Sequence, residues 1–375
     1  MSAEIYVNQA GQASMAYTGK TPWHGMGQAL TPGAPIEVWE KEGGFDWEIQ
    51  RSALTYRVPP PADSRRVIDV PKTFPARHAL YRSDNGSPLS IVSAGYKIVQ
   101  PREVLHFFKS LVEAGGFQLE TCGILFNGQK FWALAKVGAE AQIAGVDKVE
   151  GYLLLSSSCD YSLATTAGFV IERVVCHNTL GVALSEIDSG KSVRAIKVAH
   201  NQVFDADAVK AQLGLVQGSF SQFIDKATAL AKRRVGEREA SEWLVKLFAR
   251  QNADQAVINE MLAGQTSQKD QEREVVAELL GQSWSQADRT DAVEALLENV
   301  DARAMRTVHE LYAGKAMGSE LVSANGTAWG LLNAVTEYAD HHRGARSVEH
   351  RLNNNLFGSS NVLKNKAWDL IDELL

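Results

Sequence analysis

The chain has few cysteines and lacks most of the short motifs that announce an enzyme. Among its 375 residues only three are cysteine, Cys122, Cys159 and Cys176, far apart and odd in number. That suits reduced thiols in a cytoplasm better than a disulfide framework. No apolar run approaches the roughly 18 residues needed to span a bilayer, so no membrane partner is expected. The first residues, Met-Ser-Ala-Glu-Ile-Tyr-Val-Asn, lack the basic and apolar regions of a secretory signal. A cytoplasmic protein is the expectation. No Gly-x-x-x-x-Gly-Lys-Ser/Thr loop is present, which argues against ATP-driven motor work. Gly-x-Gly-x-x-Gly, Cys-x-x-Cys, His-Glu-x-x-His and Gly-x-Ser-x-Gly are missing too, and with them the usual marks of dehydrogenases, zinc fingers, metalloproteases and hydrolases.

What is present is ordinary in bulk. Hydrophobic residues make up 45% and charged residues 22%, a composition that can bury a core. The net charge of −6 is unevenly spread. Residues 1–200 carry 19 basic and 19 acidic side chains, so the whole acidic excess lies in residues 201–375. Coating DNA through bulk charge usually needs a more basic chain. Any nucleic-acid contact must therefore be local, and the first half is the better place for it.

Periodicity predicts an α+β protein. Residues 1–200 read as a mixed α/β domain around an antiparallel β-hairpin, and residues 201–375 as a mainly α-helical, acidic domain suited to oligomerisation or partner binding. The stretch up to Gly44, rich in Gly, Thr and Pro, reads as irregular. Pro101 opens a helix, carried by Val104, Leu105, Phe108, Leu111 and Val112 and stopped at Gly115-Gly116. Leu119–Phe126 and Lys130–Val137 flank Asn127-Gly128, the preferred pair for a two-residue type I′ turn. Val149–Ser156 and Gly168–Val175 read as further strands, Cys176–Ala183 as a helix, and Lys191–His200 as extended. From Asp205 the period becomes 3.6, with stripes such as Phe220, Phe223, Ile224, Ala227 and Leu230. Further helical stripes fall between residues 243 and 300, and Asn361–Leu374 forms the last helix. Thr327 is a candidate N-cap for a helix running to about His342.

Several segments could carry chemistry. Lys191, Arg194, Lys197 and His200 recur every third residue; such a row could track a phosphate backbone, or protect an exposed edge strand. Arg343, Arg346, Arg351, Lys364 and Lys366 make a second basic series, which could equally be a polar loop with solvated charges. Arg173 is a candidate for bidentate phosphate contact. Its neighbours Cys176 and His177 point to opposite faces of a strand and do not make a ready nucleophile pair. Tyr96-Lys97 could stack on a base and hold a phosphate, or simply end a strand. Trp23-His24-Gly25 could stack likewise, or anchor the N-terminal region. In the capped helix, Asn333, Glu337 and His341 share one row, with Asp340 and Thr336 beside it. Glu337, Asp340, His341 and His342 are therefore candidate ligands for a divalent metal, the alternative being a solvated helical face.

Three segments carry a wider likeness: Thr21-Pro-Trp-His-Gly-Met-Gly27, Arg173-Val-Val-Cys-His-Asn-Thr-Leu180, and Gly326-Thr-Ala-Trp-Gly-Leu-Leu-Asn-Ala-Val-Thr-Glu-Tyr-Ala-Asp-His-His-Arg343. In order and spacing they resemble a family of phage- and plasmid-like proteins whose defining domain carries no assigned function. The likeness covers nearly the whole chain and implies a mobile-DNA setting, but no reaction. The element order between residues 101 and 187 is also similar to the core of Rad52-like annealing proteins, a topological analogy only. It implies single-stranded DNA as partner, a homo-oligomer, and no cofactor. The contacts would be Lys97, Arg173, Lys191, Arg194 and Lys197, with Tyr96 and Trp23 stacking. The alternatives are a metal-dependent enzyme acting on nucleic acid or nucleotides, and an antagonist of host defence that binds a host or phage protein.

Overall fold

The computed structural model describes residues 14–19, 27–58, 71–113, 117–175, 178–181, 184–185, 192–193, 195–214, 218–250 and 300–375. Helices and strands both contribute, and the described C-terminal region is helical, as an α+β chain requires.

The centre is a mixed, mostly antiparallel sheet. Its strands are β1 (Met15–Thr18), β2 (Gln28–Leu30), β6 (Gln118–Leu125), β7 (Lys130–Ile143), β8 (Asp147–Ser158), β9 (Thr165–Arg173) and β10 (Asn178–Gly181), ordered β10-β9-β8-β7-β6-β1-β2. Only β1 and β2 run parallel among the pairs on this path. A second, three-stranded sheet is formed by β3 (Ile49–Tyr56), β4 (Lys72–Arg82) and β5 (Pro88–Ser93). Leu184–Ser185 (β11) pairs with Ser192–Val193 (β12), and Ile196–Val198 (β13) pairs with the start of β9. The described residues up to Gly44 are thus more regular than the composition predicts: they hold β1, β2 and a short helix, α1 (Ile36–Glu42).

Strand alternation divides the sheet between two cores. On one face Ile124, Phe131, Ala133, Leu153 and Leu155 pack with Trp39 of α1 and with Val104, Leu105, Phe107 and Phe108 of α2 (Pro101–Glu113). Trp132, Leu125 and Leu154 belong to a separate cluster with Met15 and Leu352. A third core joins the far ends of the strands, at Ile143, Val149 and Ile171, to the C-terminal helices. After α3 (Ala206–Gly214), the helices of that core are α4 (Gly218–Lys232), α5 (Glu237–Phe248), α6 (Ala302–Glu310), α7 (Ala328–Glu337) and α9 (Ser359–Leu370), while α8 (Val348–Leu356) packs on the Trp132 cluster through Leu352. The helical stripes expected within 251–299 lie outside the described residues.

Two local expectations change. The β6–β7 hairpin exists, but Leu125 pairs with Lys130, leaving four residues in the loop rather than two. Phe126, Asn127 and Gly128 all take positive φ, at 52°, 55° and 101°. Gly128 is required there twice over, because a Cβ would also lie 2.8 Å from the Trp47 ring. Secondly, Asn178–Gly181 is not helical. It is a strand paired with Val170–Arg173, because β9 presents an open edge at the point where the chain turns back.

Candidate nucleic-acid interface

Lys97 and Lys197 are both exposed, and the chain brings their segments together. After β5, a strap from Ala94 to Gln100 crosses toward the main sheet. The Lys97 N–H donates to the His200 carbonyl at 2.5 Å, three residues beyond Lys197. Lys197 lies in β13 opposite Thr166, while its neighbours Ile196 and Val198 pack on the core shared with α2. Alternation along the strand therefore directs Lys197 away from that core. The Arg51 guanidinium ties down the other end of the strap, donating to the Tyr96 carbonyl at 2.6 Å and the Ala94 carbonyl at 3.4 Å.

Tyr96 is not a surface platform. It is 3% exposed, its hydroxyl donates to the Ser158 carbonyl at 2.9 Å, and its ring stacks on His200 at 4.7 Å. Tyr161 meets the same ring edge-on at 4.9 Å. Burial, first of all, pushes the Tyr96 phenol far above its usual range. The apolar body with one satisfied hydroxyl suits an anchor for the strap that presents Lys97. Trp23, Lys191 and Arg194 lie outside the described residues.

Arg173 is also corrected. Its side chain is 3% exposed and forms an ion pair with Asp147, which is fully buried. The guanidinium donates onward to the carbonyls of Met317 and Gly318, each at 3.1 Å. Asp147 in turn accepts from Ser323 Oγ at 3.0 Å and Trp329 Nε1 at 2.9 Å. This network fastens the β8 and β9 ends to α7 and the turn before it. A guanidinium so committed is not available to phosphate.

The candidate metal ligands point to different partners. Thr327 caps α7, its hydroxyl accepting from the Gly330 N–H, as the sequence predicts. The helix is buried on all sides, however, so the row through Asn333 and Glu337 is not a solvated face either. Glu337 accepts the Met317 N–H at 2.9 Å. Asp340 holds Lys364 Nζ at 2.6 Å in a buried ion pair. Between Tyr338 and His342 the helix widens into a π turn, closed by the Arg343 N–H on the Tyr338 carbonyl at 2.8 Å. The wider turn breaks the four-residue spacing. The His342 ring lies near Glu337, at 3.6 Å. Among the described residues no three His, Cys, Asp or Glu side chains are grouped so as to hold a metal ion.

Sequence reading missed the sheet β3-β4-β5. None of its three strands contains an Asp or Glu, while Arg51, Lys72, Arg77 and Arg82 all belong to them. Arg82 is spoken for: it is buried, pairs with Asp84 at 2.7 Å and lies 4.0 Å over the Trp47 ring. The rest are exposed. The two basic stretches were visible, but Pro59-Pro-Pro61 and the acidic Asp63 and Asp69 between them hid the pairing of the two halves.

No helix among the described residues is long and apolar enough to cross a membrane. No curated protein and no solved structure matches the chain. A family model matches residues 88–260 and 249–357, across the strap, strands β6 to β10 of the main sheet and α7. The chain belongs to the family defined by that model, described as a domain of unknown function, DUF932.

Proposed function

We propose that this protein handles nucleic acid, binding single-stranded DNA during recombination or replication in a phage- or plasmid-derived setting. The supporting observation is the pair Lys97 and Lys197, exposed on two segments tied by the Lys97–His200 backbone hydrogen bond. Cations held by backbone on adjoining segments can follow neighbouring phosphates of one strand. The basic residues of β3 and β4 lie next to the strap: Arg77 pairs with Ser93 and Arg51 binds the strap carbonyls. The working form proposed is a cytoplasmic homo-oligomer.

The test is fluorescence anisotropy with labelled oligo(dT) and with a mixed-sequence duplex, across a salt series. Binding should weaken steeply with salt. Replacing both Lys97 and Lys197 by Ala should flatten the log–log slope on single strands by about 1.4, or about 0.7 for each phosphate no longer neutralised. Absence of binding at low salt would overturn the reading.

A further inference from the structure

The β3–β4 hairpin has two unlike halves. In the inner half, Ile49–Ala53 pair with His78–Arg82, β5 pairs alongside, and Ile49, Leu80 and Val92 are buried. Beyond Ala53 the register breaks, with Thr55 next pairing Thr73. Phe74, Pro75, Ala76 and Arg77 thus bulge opposite Leu54. Pro75 can occupy a bulge because it has no N–H to give a ladder. β5 reaches only as far as Arg77.

The outer half is a bare two-stranded ribbon. Every residue in 55–58 and 71–77 is exposed. Such a ribbon buries too little to be favoured on its own. Yet it carries an aromatic pair, Tyr56 and Phe74, at 46% and 45% exposure, their rings 6.4 Å apart. Lys72 lies opposite Tyr56 across the ribbon, Arg57 follows Tyr56 and Arg77 lies three residues beyond Phe74, with no acidic residue within the ribbon's described residues. Lysine, arginine and proline on an open strand oppose pairing with another copy of the chain. An anionic partner that also offers flat apolar faces suits both the cations and the rings.

We propose that this ribbon is an arm that stacks on the bases of a single strand while its cations hold the flanking phosphates. The inference rests on the nucleic-acid reading above and assigns preference for single strands to Tyr56 and Phe74. Bases in a duplex are already stacked on one another, so the aromatic pair favours only a strand whose bases are free.

Two variants separate the possibilities: Tyr56→Ala with Phe74→Ala on the ribbon, and Lys97→Ala with Lys197→Ala on the strap. Each is titrated with labelled oligo(dT) and with duplex, and sedimentation is run in parallel. The ribbon variant is expected to lose at least fivefold in oligo(dT) affinity, with duplex affinity within about twofold of the parent, while Tyr56→Phe alone, which leaves both rings in place, keeps most of the parent's affinity. An unchanged thermal melt confirms that the fold is kept. If the strap variant weakens binding and the ribbon variant does not, the arm is overturned and the nucleic-acid reading stands. If the parent binds neither probe, both fall. If the ribbon variant changes only the oligomeric state, the arm contacts a second copy of the chain and the proposal is overturned.

Discussion

Asp147 and Arg173 form a closed ion pair in which both carboxylate oxygens lie 2.9 Å from the guanidinium Nε. Neither residue reaches solvent to any useful degree, and Asp147 also accepts from Ser323 and Trp329. Removing one partner strands the other charge in a dry site. Asp147→Asn is therefore expected to destabilise the fold by about 3–5 kcal/mol, and Arg173→Met by a similar amount. Combining them should cost much less than the sum, since the second change removes the charge stranded by the first. Urea denaturation of the three variants checks this; simple additivity would show that the pair is not coupled.

Gly330 sits in the first turn of α7 against the turn that precedes it. A Cβ there would lie 1.8 Å from the Ala324 carbonyl oxygen, which is backbone and cannot swing aside. Gly330→Ala is expected to cost about 3 kcal/mol or more, at the upper end of overpacking effects. Gly326, four residues earlier, makes a useful control. It has a φ of 61°, and a Cβ there would meet only the Arg234 guanidinium at an ordinary 3.5 Å, so Gly326→Ala should carry little beyond the left-handed penalty of about 1–2 kcal/mol. Thermal unfolding of both ranks them; a milder effect at Gly330 would mean that the turn before α7 can yield.

Glu349 of α8 is buried, and its carboxylate accepts the backbone N–H of Phe126 in the β6–β7 loop. Burial outweighs that hydrogen bond and raises its pKa above the ordinary 4.5. The folded state thus favours the protonated form. Stability from this group is complete below pH 4.5 and is lost as pH rises through the raised native value. Glu349→Gln keeps an acceptor without a charge, so its stability relative to the parent should grow from acid to neutral pH. Glu349→Ala leaves the Phe126 N–H without its acceptor and should cost about 1–3 kcal/mol. Denaturation midpoints across this pH range decide it; a Gln variant that gains nothing on the alkaline side would contradict the burial account.

Local sequence carried much of the fold. Thr327 as cap, Pro101 at a helix start and Asn127-Gly128 between two apolar runs all act within a few residues, and all appear where they should. The loop type was not legible, because Phe126 joins the turn under the influence of Glu349, 223 residues away. The short segment at Asn178 suits helix or strand equally, and the open edge of β9 decides it. The site was less legible than the fold. Arg173 looks like a phosphate ligand until Asp147, Ser323 and Trp329 are brought around it, and nothing nearby in sequence announces them. The row from Asn333 to His341 assumed an unbroken α-helix; the π turn rotates its last members. Lys97 and Lys197, by contrast, are both exposed, though only Lys197 belongs to the row of charges spaced every third residue.

The hold of α8 on the β6–β7 loop has a consequence for how the chain comes together. Glu349 and Asn353 reach Phe126 and Lys130 across 223 residues in each case. The loop is synthesised well before its partners, which follow 223 residues later. Ordering so long an intervening stretch carries a large entropic cost before either contact rewards it. Leu352, on the same helix, completes the cluster around Trp132. Until α8 arrives, that tryptophan lacks this cover, leaving a nascent chain with an apolar surface to shield from its neighbours.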